Sequence, residues 1–100
     1  MDKKIVKIIT ESLKEVNATL EDSEPGLEKP TLDTQIFGFQ GYLDSLALVT
    51  LISIIEGKIS DEFNKEIVIV SEKAMSQKIS PFKSVRSLAG YIESLLRKGK

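Results

Sequence analysis

Between Lys3 and about Leu20 the apolar side chains fall at Ile5, Ile8, Ile9, Leu13, Val16 and Leu20, while Lys4, Lys7, Glu11 and Lys14 fall mostly elsewhere. Three-and-four spacing of this kind places one stripe on a helix, so the pattern predicts a first helix over about 3–20. Residues 21–44 lose the period and carry Pro25-Gly26, Pro30, Gly38 and Gly41, which predicts a long irregular connection. Loops of that length are uncommon in small domains and are usually functional or pinned by their own side chains; Leu32, Ile36, Phe37, Phe39 and Leu43 are the candidate anchors.

The pattern resumes over about 45–59 with hardly any polar face: Leu46, Leu48, Val49, Leu51, Ile52, Ile54, Ile55 and Ile59 are interrupted by Thr50, Ser53 and Glu56 at three-residue spacing. Either the core surrounds this second helix or part of its apolar surface awaits a partner or ligand. Gly57 weakens its last turn, and a change of direction is expected near Ser60-Asp61. Phe63 follows, then Ile67-Val68-Ile69-Val70, a strand by β-branching alone. No second strand offers to pair with it, so the expectation is an extended apolar segment lying across helices. Ser71 can cap a short helix over about 72–79, stopped at Ser80-Pro81, and Ser84 a last helix over about 85–97. Val85, Leu88, Ala89, Ile92, Leu95 and Leu96 form the stripe of that last helix, and Arg97, Lys98 and Gly99 close it in the manner of helix C-termini. The expected class is all-α, with three long helices and one short one.

The chain has 100 residues, 41% hydrophobic and 29% charged, which suits one domain over 1–100 with one continuous core. Cysteine and histidine are both absent. Their absence from the sequence excludes disulfide frameworks, thiolate nucleophiles, Cys/His zinc sites, Ser-His triads and histidine acid-base catalysis. Fourteen basic residues against fifteen acidic ones give a net charge of -1, with no general attraction to nucleic acid. The distribution is uneven: Asp44 to Glu66 holds five acids and two lysines, whereas Ser71 to Lys100 holds two acids and seven bases. Apolar runs are too short for a membrane span, and Met1-Asp2-Lys3-Lys4 leads directly into amphipathic sequence without a signal-peptide block, so a cytoplasmic protein is expected. Scattered carboxylates match no calcium-loop spacing, and no metal site is expected.

The most informative stretch is Gly41-Tyr42-Leu43-Asp44-Ser45-Leu46, where the loop delivers Asp-Ser into the apolar helix. Asp44 or Ser45 serves as an N-cap, since both side chains accept hydrogen bonds from first-turn N–H groups. The same place exposes a hydroxyl, and a phosphate ester on it would lie at the positive end of the helix dipole. A nucleophilic serine enzyme fits poorly, because no histidine exists to activate Ser45 and a Ser-Lys pairing would depend on tertiary placement.

The triplet Asp44-Ser45-Leu46 follows a loop containing Leu32-Asp33-Thr34-Gln35-Ile36-Phe37 and precedes Leu48-Val49 and Leu51-Ile52. With Phe63, Ile67 and the final Ser84-Val85-Arg86-Ser87-Leu88-Ala89-Gly90-Tyr91-Ile92, this resembles the acyl and peptidyl carrier protein family over most of the chain. The resemblance implies a right-handed four-helix bundle whose Ser45 receives a 4'-phosphopantetheine arm from coenzyme A, with Asp44 beside it. A phosphopantetheinyl transferase would attach the arm, and acyl-activating and acyl-transfer enzymes would use it. The protein would then be a carrier and not an enzyme, holding acyl or aminoacyl groups as thioesters in fatty acid, polyketide or lipid biosynthesis. Carried over by position, the docking residues are Leu46, Val49 and Glu56, with Asp61 and Glu62 as an acidic extension. Tyr42 stands where fatty-acid carriers typically have glycine, and Gly41 one position earlier is more similar to D-alanyl and other specialised carriers. Thr50 stands where an acid is common. These departures imply a stand-alone carrier dedicated to a particular pathway, and a monomer is expected. The alternative is an unmodified small helical interaction module that docks through the exposed side of the second helix; a hydrolase is a third, weaker reading.

Overall fold

A computed structural model of the chain describes residues 3–19, 25–37, 41–69 and 81–98, apart from the side chains of Ser45 and Lys98. Within these residues the architecture is all-α, with three helices and no strand: α1 (Lys3–Thr19), α2 (Ser45–Phe63) and α3 (Val85–Lys98). The short helix expected over 72–79 lies outside the described residues, as do Phe39 and Val70.

Helix α1 is the shared wall, packing against both α2 and α3. Its stripe of Ile5, Ile8, Ile9, Leu13 and Val16 is buried with Leu51, Ile55 and Ile59 of α2 and Val85, Leu88 and Ile92 of α3 in one cluster. Full burial of an aliphatic side chain contributes about 1.5–3 kcal/mol, so this cluster dominates the favourable side of folding. Ser12 is buried within the stripe and spends its hydroxyl on the Ile8 carbonyl at 2.7 Å. Across the α1–α2 seam Lys58 Nζ meets Glu15 Oε2 at 2.8 Å.

The second helix runs about one turn past its expected end at Ile59, straight through the change of direction expected near Ser60-Asp61. Gly57 meets open space and costs about 1 kcal/mol relative to alanine, but buried Ile59 and half-buried Phe63 continue the inward stripe one turn further. The helix ends where Asn64 takes the left-handed conformation at φ 54°, a conformation asparagine tolerates better than most residues. Residues 65–69 then run without a strand, as the missing pairing partner implied. Ile69 is fully buried, and its N–H donates to Glu56 Oε2 at 2.8 Å. A side chain of α2 therefore holds the segment that leaves it.

The long connection is pinned. Leu27, in a 3-10 turn at Pro25–Leu27, is fully buried, as is Ile36, and Leu43 nearly so; Leu32 and Phe37 pack partly against the core. Its backbone is tied to the start of α3: Ile36 N–H donates to the Lys83 carbonyl at 2.7 Å, Val85 N–H to Thr34 at 3.1 Å and Arg86 N–H to Leu32 at 2.9 Å. First-turn N–H groups of α3 that have no partner inside the helix are thus satisfied by the loop. Ser84 caps α3 as expected, in a reciprocal pair: Ser87 N–H donates to Ser84 Oγ at 3.2 Å and Ser84 N–H to Ser87 Oγ at 3.0 Å.

Two outcomes follow from these contacts. Glu56→Ala leaves the Ile69 N–H without its acceptor and lowers unfolding free energy by about 1–3 kcal/mol, with faster hydrogen exchange at Ile69. Glu56→Gln, which keeps an acceptor oxygen, loses less; equal exchange at Ile69 in all three proteins contradicts the clasp. The second outcome concerns Lys58, whose pKa is raised above the ordinary 10.5 mainly by its hydrogen bond to Glu15, against some desolvation. A raised folded value means the contribution is fully present below the ordinary lysine range and is lost as pH climbs through the folded value. The stability difference between the native protein and Lys58→Met is therefore constant from pH 7 to 9 and shrinks in strongly alkaline urea titrations; a difference that already falls between pH 7 and 9 contradicts this.

Candidate functional site

The connection reaches α2 by a close crossing. A Cβ on Gly41 would lie 2.6 Å from the backbone N and Cα of Phe37, so only glycine lets the two strands of the loop approach this way. Leu43 N–H then donates to the Ile36 carbonyl at 2.9 Å, one residue before the helix cap. Asp44 is the N-cap, with φ -85° and ψ -178°; its Oδ1 accepts the Ala47 N–H at 2.8 Å and its carbonyl accepts the Leu48 N–H at 2.9 Å. Of the two capping candidates, Asp44 fills the role, and Ser45 becomes the first residue of α2.

The neighbours of Ser45 face water. Asp44 is exposed, Leu46 is 77% exposed and Val49 is 57% exposed. One hundred degrees of rotation per residue puts positions 45, 46 and 49 within roughly 100° of each other at the head of α2. Thr50, Ser53 and Gly57 continue the exposed side, a neutral surface over three turns. The core does not surround this nearly all-apolar helix completely: Leu46 and Val49 are exposed to solvent.

The other expected docking residues lie elsewhere. Glu56 is half-buried, with one carboxylate oxygen engaged by Ile69. Asp61 and Glu62 are exposed, but at 1.5 Å per residue they lie about 24 Å along the axis from Ser45, and Glu62 is turned about 160° from Leu46. Leu46 and Val49 therefore form the local surface beside Ser45, and the two acids belong to the far end.

A cleft of about 190 Å³ opens between the last turns of α1 and the first turns of α2, lined by Val16, Thr19, Asp44, Leu46, Ala47 and Thr50. Sequence reasoning missed it. Thr19 and Val16 become part of the site only through α1–α2 packing, and no spacing in the sequence signals that. Among the described residues no group of acids gathers as a metal site, and no helix is long and apolar enough to cross a membrane.

No family model, curated protein or solved structure matches the chain. The cap, the exposed flanks and the cleft are therefore read on their own chemistry.

Asp44→Ala removes the cap and costs about 1 kcal/mol in urea unfolding, within the 0.5–2 kcal/mol range for such caps, whereas Asp44→Asn costs much less. An unchanged midpoint in the alanine variant contradicts the capping role.

Proposed function

We propose that the chain is a carrier protein that receives a 4'-phosphopantetheine arm on Ser45 and carries acyl or aminoacyl groups on it for a specialised biosynthetic pathway in the cytoplasm. The observation that supports this reading most strongly is the Asp44-Ser45-Leu46 triplet, delivered by a pinned loop to the first turn of α2 with both neighbours of the serine exposed. The reading carries with it a four-helix bundle, of which three helices are described above.

The surroundings of Ser45 suit such a group. A phosphodiester at the first helical residue lies at the positive end of the dipole, which offsets repulsion from the Asp44 carboxylate. Exposed Asp44 and Leu46 leave room for an approaching transferase. In the attachment the Ser45 oxygen forms a bond to phosphorus as the pyrophosphate P–O bond of coenzyme A breaks. Adenosine 3',5'-bisphosphate leaves, and the hydroxyl proton passes to a base of the transferase. Once bound, the arm supplies the thiol that this cysteine-free chain lacks. Leu46 and Val49 offer partner enzymes an apolar contact beside the arm, small enough to favour rapid exchange over lasting affinity.

The exposure of Leu46 and Val49 also favours a second reading, an unmodified helical module that docks through the same side of α2. Intact-mass spectrometry after incubation with coenzyme A and a broad-specificity transferase separates the two. The carrier reading predicts a gain equal to one phosphopantetheine group, abolished in Ser45→Ala. No gain, or a gain that persists in Ser45→Ala, contradicts it. A cellular function untouched by Ser45→Ala and abolished by Val49→Asp establishes the module instead.

A further inference from the structure

This inference rests on the carrier reading of Ser45 and concerns where the attached arm resides between encounters. We propose that the α1–α2 cleft is a docking groove for the arm, with Val16, Leu46 and Ala47 receiving its branched apolar part and the hydroxyls of Thr19 and Thr50 accepting hydrogen bonds from its amides. The first support is position. Asp44 and Leu46, the two chain neighbours of Ser45, both line the cleft, so an arm attached at Ser45 is anchored one residue in sequence from its lining and reaches it by passing Leu46 at the head of α2.

The second support is chemical. Thr19 Oγ1 donates to the Val16 carbonyl at 2.7 Å and Thr50 Oγ1 to the Leu46 carbonyl at 3.2 Å. A hydroxyl has one hydrogen, so each of these presents only acceptor lone pairs to a ligand. The phosphopantetheine arm has a dimethyl-substituted carbon near its phosphate and amide N–H donors farther along. The cleft offers apolar side chains and acceptor hydroxyls to match them. Its one charged lining residue, Asp44, spends Oδ1 on the Ala47 N–H, and the lining contains no cation to attract an anionic cargo.

The third support is size. At about 190 Å³ the cleft is smaller than the ~300–1,000 Å³ typical of sites that hold a free small molecule. It suits a segment of a tethered chain, because attachment at an adjoining residue gives an effective concentration on the order of mM and makes a weak contact sufficient. Weak contact also lets the arm leave when a partner enzyme docks. Cargo beyond the arm extends past the cleft, which favours small or polar groups that tolerate water.

The test uses full-length protein loaded from coenzyme A by a broad-specificity transferase, with loading verified by intact mass. Isotope-filtered NMR is expected to show cross-peaks from the arm's methyl and methylene protons to methyl groups of Val16, Thr19 and Thr50. Thr19→Trp, which fills the cleft from an exposed position, is expected to load normally and lose those cross-peaks. Thr50→Val, which keeps the shape and removes an acceptor, is expected to speed solvent exchange of the arm's amide protons several-fold. A verified mass gain with no such cross-peaks, or cross-peaks that persist unchanged in Thr19→Trp, overturns the groove and leaves the carrier reading standing. Absence of any mass gain removes the arm itself and overturns both.

Discussion

The strap between the long connection and the start of α3 is the constraint on which the candidate site depends. Carbonyls of Leu32 and Thr34 accept first-turn N–H groups of α3, and Ile36 returns a bond to Lys83 while its side chain is fully buried. Each such bond contributes only about 1 kcal/mol net, but leaving a buried donor unpaired costs about 1–3 kcal/mol, so the arrangement resists partial release. Ordering the connection costs about 1–2 kcal/mol per residue, which burial of Leu27, Ile36 and Leu43 helps to offset. Because Ile36 is fixed, its carbonyl can hold the Leu43 N–H, and Asp44 follows at the head of α2. The place of Ser45 is thus set from α3, far away in sequence.

Helix α2 joins two kinds of surface. Its inner side supplies Leu48, Leu51, Ile52, Ile55 and Ile59 to the core, and its outer side leaves Leu46 and Val49 in water at considerable cost in apolar exposure. The charged residues of α2 are arranged differently from those of a uniformly acidic docking face. Asp44 caps, Glu56 clasps Ile69 and Lys58 pairs with Glu15, and the exposed Asp61 and Glu62 stand at the far end. At about 24 Å from Ser45 they lie beyond the ~8 Å Debye length of physiological salt. On the carrier reading, partner contact near the serine is therefore governed by shape and apolar area more than by charge.

Much of this was legible in the sequence because it follows from local rules. The amphipathic stripes of α1 and α3, the cap at Ser84 and the narrowing of the α2 cap to Asp44 or Ser45 all come from periodicity and hydrogen-bonding chemistry. The refusal of Ile67-Val68-Ile69 to form a strand followed from the lack of a partner. What escaped was decided by packing. The extra turn of α2 depends on Ile59 and Phe63 finding the core, which overrides Gly57 and the turn-forming Ser60-Asp61. Leu27 as an anchor, Glu56 as a clasp and the threonine-walled cleft all join residues that sequence spacing does not connect.

The central claim is that Ser45 bears the arm in the living cell. Fragmentation mass spectrometry of the Ser45-containing peptide, from protein purified from its native host, tests it most directly. The account predicts a phosphopantetheine mass localised to Ser45, with any cargo released together with the pantetheine fragment. A native peptide found only with an unmodified serine contradicts it.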